Sequence, residues 1–144
     1  AILEISGAPL APLAFGDPSS VREGADLAFT GFPIGVVLGL YASTHRATLA
    51  SITPIIIPRA HSSMLDAKAI SRMRKPYDVF QLDAVAYPGN SGSPLYDPET
   101  GLVVGIINMV LVKGSKESAL TAPSGIAYAI PVVYLRELMA TIKP

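Results

Sequence analysis

Prolines and glycines interrupt this sequence every few residues. There are 13 prolines and 12 glycines in 144 positions, separated by short stretches rich in Val, Ile, Leu and Thr. Such punctuation leaves little room for long helices, because proline lacks the N–H that a helix interior needs. It suits many short strands joined by turns, and so an all-β chain. Half of the residues are hydrophobic and 15% are charged, a balance that builds a core and excludes intrinsic disorder. The length fits one domain or one lobe of a larger one. Eleven basic residues balance eleven acidic ones. A neutral chain has no global attraction to nucleic acid or to an anionic membrane, and neither is expected as a partner. There is no cysteine, hence no disulfide, no thiolate nucleophile and no cysteine metal site. No metal and no cofactor is expected.

The stretch from Leu27 to Thr44 carries no charge and spaces Gly31, Gly35 and Gly39 as GxxxG. Pro33 and the polar Thr30, Tyr41, Ser43 and Thr44 argue against a membrane span. Two buried strands joined by a Phe32-Pro33-Ile34-Gly35 turn are expected instead. Strands are predicted at Ile2–Ile5, Ala25–Gly31, Val36–Ala42, Ala47–Ile57, Val79–Val85, Gly101–Val112 and Gly125–Ile130. Pro9, Pro12 and Pro18 hold an extended connector. A helix is predicted near 131–141, opened by Pro131 and patterned by Val132, Leu135, Leu138 and Met139. Residues 59–75 hold five basic residues against Asp66. Met64 to Arg74 reads as a solvated helix, with no aromatic interleaving to suggest nucleic acid. Lys113 to Ser124 reads as a polar loop. Together these elements describe a small antiparallel barrel with a terminal helix.

The chemistry lies in Gly89-Asn90-Ser91-Gly92-Ser93-Pro94. Two glycines allow backbone conformations that side chains forbid. Such a turn can aim successive N–H groups at one point, as an oxyanion requires. A serine at its apex could attack a carbonyl if a histidine removed its proton. All these residues are also ordinary turn formers, so the six alone leave a plain hairpin open. The G-x-S-x-G elbow is excluded, since position 93 is serine.

The wider run Phe80-Gln81-Leu82-Asp83-Ala84-Val85-Ala86-Tyr87-Pro88-Gly89-Asn90-Ser91-Gly92-Ser93-Pro94-Leu95 resembles the nucleophile region of trypsin-like serine peptidases, most nearly the HtrA-like or DegP-like branch. Gly101 to Asn108 resembles the strand after that nucleophile. Gly125 to Pro131 resembles the strand before the terminal helix. Leu13–Asp17 and Gly24–Pro33 resemble the start of the family's second barrel. The resemblance implies an all-β antiparallel Greek-key barrel, the C-terminal lobe of a two-barrel peptidase. Residues 1–20 would then be the last strand of a first barrel with its connector, and 21–144 the second barrel with its helix.

It further implies that Ser91 is the nucleophile of a serine endopeptidase, with Gly89, Asn90 and Ser91 forming the oxyanion hole. Val85, Ala86, Tyr87, Asn108, Met109, Val110, Ile126 and Ala127 would surround the pocket for the residue before the scissile bond. These are mostly small or apolar, so small or aliphatic residues would be preferred. Asn90 stands where many digestive members have an aspartate that pairs with a new amino terminus, so that activation is not implied. Asp83 reads as a turn cap rather than a selector for basic substrates. The family's His and Asp would lie upstream of Ala1, because Ala1-Ile2-Leu3 resembles the strand after that Asp. Ala1 looks like a cut start, and residues 1–5 show no signal peptide. His45 reads as a strand-end surface residue and His61 as part of the basic loop. Glu4, Asp17 and Asp26 have no neighbouring histidine to orient. The chain by itself is therefore expected to be inactive. Expected partners are a peptide or protein substrate, and either its own N-terminal barrel or a second copy. Family resemblance leans to a periplasmic or other extracytoplasmic place. The alternative is a non-catalytic binding or structural module derived from a protease.

Overall fold

Six strands close into one barrel in the computed structural model, which describes residues 2–34, 39–54, 77–110 and 125–142. They are β1 (Asp26–Gly31), β2 (Ser43–Pro54), β3 (Asp78–Asp83), β4 (Pro94–Tyr96), β5 (Val103–Val110) and β6 (Ile126–Pro131). A 3₁₀ turn at Pro18–Ser20 precedes them, and one helix, α1 (Val132–Ala140), follows. All pairings between strands are antiparallel. The spatial order is β1-β2-β3-β6-β5-β4, with β4 back beside β1. The run β4-β1-β2-β3 is a Greek key. The chain thus adopts the expected all-β antiparallel barrel with a C-terminal helix.

Period-two patterning builds the interior. In β2 the inward His45, Ala47 and Leu49 alternate with exposed Thr44, Arg46 and Ala50. Phe29, Leu49, Leu82, Leu95, Ile107, Ala127 and Ala129 are wholly buried and form the core with Phe80. Val103, Val104 and Gly105 of β5 are buried in succession, as its nearly apolar sequence suggests. On the outside, the Thr30 hydroxyl lies 2.9 Å from both the Thr44 and the Tyr96 hydroxyls, a polar tie across three strands.

Helix α1 starts one residue later than its proline suggested, with Pro131 still at the end of β6. Val132 is buried, whereas Leu138 and Met139 are exposed. The helix is fixed instead by polar contacts. Arg136 Nη2 donates to the carbonyls of Phe15 (3.2 Å) and Gly16 (2.9 Å) and lies over the Phe15 ring. The Asp78 N–H donates to the Tyr134 hydroxyl at 3.2 Å.

Several expectations are corrected. Residues 2–5 form no strand; they pair with no described residue, and Ile2, Leu3 and Ile5 are exposed. A strand needs a partner for its ladder, and β-rich composition alone supplies none. Residues 39–42 are not strand either. The predicted strand at Ala47 starts earlier, at Ser43, because it pairs with β1 from Gly31↔Ser43 to Asp26↔Thr48. Pro94–Tyr96 is a short strand that composition did not mark. The predicted helix at Met64–Arg74, His61, the Lys113–Ser124 loop, and parts of the strands predicted at Val36–Ala42, Ala47–Ile57 and Gly101–Val112 lie outside the described residues.

The core assignment predicts opposite outcomes for two apolar truncations. Leu82→Ala should cost about 2–5 kcal/mol, as for other buried leucines. Ile5→Ala, at an exposed site, should stay within about 0.5 kcal/mol. Urea unfolding midpoints measure both.

Candidate active site

The turn between β3 and β4 is held from both sides. Gly89 and Gly92 have φ of 103° and 91°, left-handed values that glycine reaches without strain. Within the turn, the Asn90 N–H donates to the Tyr87 carbonyl (3.0 Å) and the Ser93 N–H to the Asn90 carbonyl (3.1 Å). Toward β5, the Gly92 N–H donates to Ile107 O (2.7 Å), and the Ile107 N–H returns to Ser93 O (2.9 Å). Toward the end of β1, the Ile34 N–H donates to Pro88 O at 2.8 Å. Ile34 is the one described non-glycine residue with positive φ, at 50°. A β-branched residue there is strained, so the clamp on Pro88 is held against a local cost.

Close approach explains two glycines. A Cβ on Gly89 would run into the Phe32 carbonyl oxygen, and one on Gly31 into the Ser93 hydroxyl and the Asn90 side chain. The glycine of the Thr30-Gly31-Phe32 segment therefore lets the turn sit directly on β1. Residue types alone do not reveal this contact; its one signal in the sequence is a glycine two residues before Pro33.

Ser91 is exposed, and its hydroxyl donates to the Asn108 carbonyl at 3.3 Å. The N–H groups of Gly89 and Ser91 donate to no described residue, and both residues are exposed. Asn90 between them is wholly buried. Its side-chain nitrogen and oxygen find no partner among the described residues. Two amides beside a serine hydroxyl that donate to no described residue can stabilise a developing negative charge.

The other candidate residues fall into three adjoining segments. The Ala84 N–H donates to Gly125 O at 3.0 Å, which sets Val85–Tyr87 beside the start of β6. Met109 and Val110 pair with Tyr128 and Ala127, while Leu82 and Asp83 pair with Ala127 and Ile126. Val85 and Asn108 are exposed, and Tyr87 and Ile126 half-buried. The side chains of Ala86 and Ala127 are packed in the core cluster. Asp83 is exposed at the end of β3 and caps no described residue.

His45 is half-buried rather than an exposed surface residue. Its Nε2 is buried without a partner among the described residues. Its ring stacks on Phe29 at 4.9 Å and is tilted against Tyr87 at 6.4 Å. Burial holds the imidazole below the ordinary histidine pKa. The inward period that Ala47 and Leu49 define extends back to His45, but only once the strand is known to begin at Ser43. Among the described residues no carboxylate is bonded to it. Asp17 and Asp97 are held below the usual carboxylate range, Asp17 first by the Ser19 hydroxyl and Asp97 first by the Glu99 N–H. Both serve local turns. Glu4 and Asp26 are exposed. A recess of about 570 Å³, lined by Asp17, Arg22, Asp97 and Glu99 among others, lies at the opposite end of the barrel, where β1 starts. Among the described residues no three His, Asp or Glu side chains are grouped to hold a metal ion, and no helix is long and apolar enough to cross a membrane.

Residues 1–106 match the model of the trypsin-like peptidase domain, so the chain belongs to that family. Within it the HtrA-type branch is where its similarities fall. The chain is 30% identical over 132 residues to the serine protease Do-like HtrA of Bacillus subtilis, and 29% over 138 residues to its Do-like HtrB. Each match takes in 91% of this chain and about a quarter of the relative, 25% and 24% respectively. Among solved structures, the HtrA-type protease AlgW with a tripeptide superposes with a TM-score of 0.67 at 24% identity, covering 96% of this chain and 38% of that one. The Rv3671c protease of M. tuberculosis, in its active form, gives 0.64 at 20%, covering 93% and 49%. These two likenesses establish the barrel fold.

Two outcomes test this geometry. Gly89→Ala needs a left-handed Cβ that collides with Phe32 O, so the turn must move. The Gly89 and Ser91 amide resonances should shift while far-UV circular dichroism stays strand-dominated. For His45, the folded chain favours the neutral ring more than the unfolded chain does. Below pH about 6.5 the unfolded state therefore takes up more protons, and stability falls as pH drops toward the lowered folded pKa. His45→Phe should reduce that part of the loss, read as Tm against pH between about 7 and 5.

Proposed function

We propose that this chain is the C-terminal barrel of a serine endopeptidase in which Ser91 is the nucleophile. The observation that supports this reading is an exposed serine hydroxyl beside two amides, those of Gly89 and Ser91, that donate to no described residue. In this reading Ser91 Oγ attacks the scissile carbonyl carbon as a histidine base takes its proton. The two amides bind the oxyanion, with Asn90 setting the turn between them. Collapse of the adduct breaks the C–N bond, the histidine protonates the leaving amine, and water hydrolyses the acyl-enzyme by the reverse roles.

Here the Ser91 hydroxyl is bonded to the Asn108 carbonyl, an acceptor that cannot raise its nucleophilicity. The base and its orienting aspartate are assigned to a first barrel; residues 1–20 supply the connector and the segment that would become its last strand only when paired with that barrel. Residues 21–144 form the second barrel. The curated relatives are about four times as long as their match to this chain, which accommodates that arrangement. The substrate is a peptide or protein. The segments Val85–Tyr87, Asn108–Val110 and Ile126–Ala127 are assigned to the pocket for the residue before the scissile bond; none of these residues is acidic, which suits small or aliphatic residues. The face toward the other lobe meets the chain's own first barrel or a second copy.

A fluorophosphonate probe reports activated serines. The 144-residue chain alone should not be labelled. A form carrying the upstream barrel should be labelled at Ser91, and Ser91→Ala should abolish both labelling and peptide turnover without changing Tm. Loss of a single oxyanion donor costs about 10²–10³ in rate, and loss of the nucleophile more. Stoichiometric labelling of the isolated monomer would overturn the division of the site. Absence of labelling in the longer form would instead favour a non-catalytic module.

A further inference from the structure

Three polar atoms are buried at the site end of the barrel without a partner among the described residues: Nε2 of His45, and Nδ2 and Oδ1 of Asn90. Such atoms are uncommon in folded proteins, because a buried polar group left without a partner loses its hydration with nothing in return. Three independent contacts place them together. His45 is in register with Phe29 of β1 and stacks on its ring. The Asn90 side chain lies against Gly31, two residues further along the same strand and so on the same face. That step is about 7 Å along a strand. Tyr87 completes the triangle: its ring faces His45 at 6.4 Å, and its carbonyl accepts the Asn90 N–H at 3.0 Å. Among the described residues, the groups that face His45 from the elements packed on it are the Phe29 and Tyr87 rings, and neither offers an acidic partner.

Each group lacks what the other could supply through one small polar molecule. A neutral imidazole can accept at Nε2, and a side-chain amide offers both a donor and an acceptor. A buried water typically makes about three hydrogen bonds to polar groups of this kind. We propose that His45 is a positioning residue for the oxyanion-binding turn, its Nε2 sharing one buried water with the side-chain amide of Asn90. This rests on reading Gly89 and Ser91 as that turn. Asn90 is the peptide unit between the two amides, so anchoring its side chain fixes the direction of both N–H groups. His45 acts only through Asn90 and touches no substrate.

The test is made by nuclear magnetic resonance on the full 144-residue chain, which needs no catalytic activity. Asn90→Asp places a carboxylate where the amide was. A charge within about 4–6 Å of the imidazole should raise the His45 pKa by about 1–3; an unchanged midpoint would overturn the proposal. Should that variant not fold, the unsubstituted chain answers the same question. The Asn90 side-chain amide resonances should titrate with the His45 midpoint, and a flat response would refute the link. The positioning role has its own readout. His45→Phe keeps the stack on Phe29 but removes the acceptor, and should move the Gly89 and Ser91 backbone amide resonances. His45→Gln restores an acceptor near the Nε2 position and should return them. Indifference of those amides to both substitutions would refute positioning. The peptidase reading stands or falls separately, on probe labelling of Ser91 in the longer form.

Discussion

Two residue pairs close the barrel. Ala28↔Tyr96 and Phe29↔Leu95 are the only register pairs joining β1 to β4 among the described residues, and Phe29 and Leu95 are both wholly buried. Such a short ladder contributes few hydrogen bonds. The burial of those two side chains against Leu49, Phe80 and Ile107 is what holds it. The candidate site depends on the same closure. The turn carrying Ser91 ends where β4 begins, so pairing β4 to β1 presses that turn onto Gly31 and Phe32. Any residue larger than glycine at position 31 or 89 would compete with the closure itself.

Much of this was legible from residue types. Strands with strong β-branched or apolar patterning, such as β1, β3 and β5, sit where their composition placed them, because the barrel demands the same inside-outside alternation that the sequence displays. The Gly89–Pro94 turn was equally visible, since left-handed backbone at two positions needs glycine. Less legible was everything that depended on register. His45 follows a polar run, and only its pairing with Phe29 turns it inward. Ile2–Ile5 has strand composition but no partner here, and composition cannot supply a ladder. Helix α1 was patterned as if it covered the core, yet its anchorage is Arg136 on two backbone carbonyls, a contact between residues 120 positions apart.

The division of chemistry follows the division of polarity. Around Ser91 the backbone would supply the anion-binding groups of the proposed site, and the described side chains there supply little charge. The described carboxylates with lowered pKa, Asp17 and Asp97, belong to turns at the other end of the molecule. In the proposed reading the barrel contributes the anion-binding turn, and among the described residues the Ser91 hydroxyl is hydrogen-bonded to no histidine. That suits a half-site completed by another lobe.

The Arg136 contact also bears on synthesis. Its acceptors, Phe15 and Gly16, leave the ribosome long before the helix that holds them, and Phe15 also bridges to Val103. The barrel's own seams share this property: β1 waits for β4, and β3 waits for β6. During translation β1, β2 and β3 therefore emerge as an open three-stranded sheet with two bare edges. Open edges and uncovered apolar faces pair readily with other chains. A nascent chain of this design keeps those edges unpaired until β4 and β6 have been made.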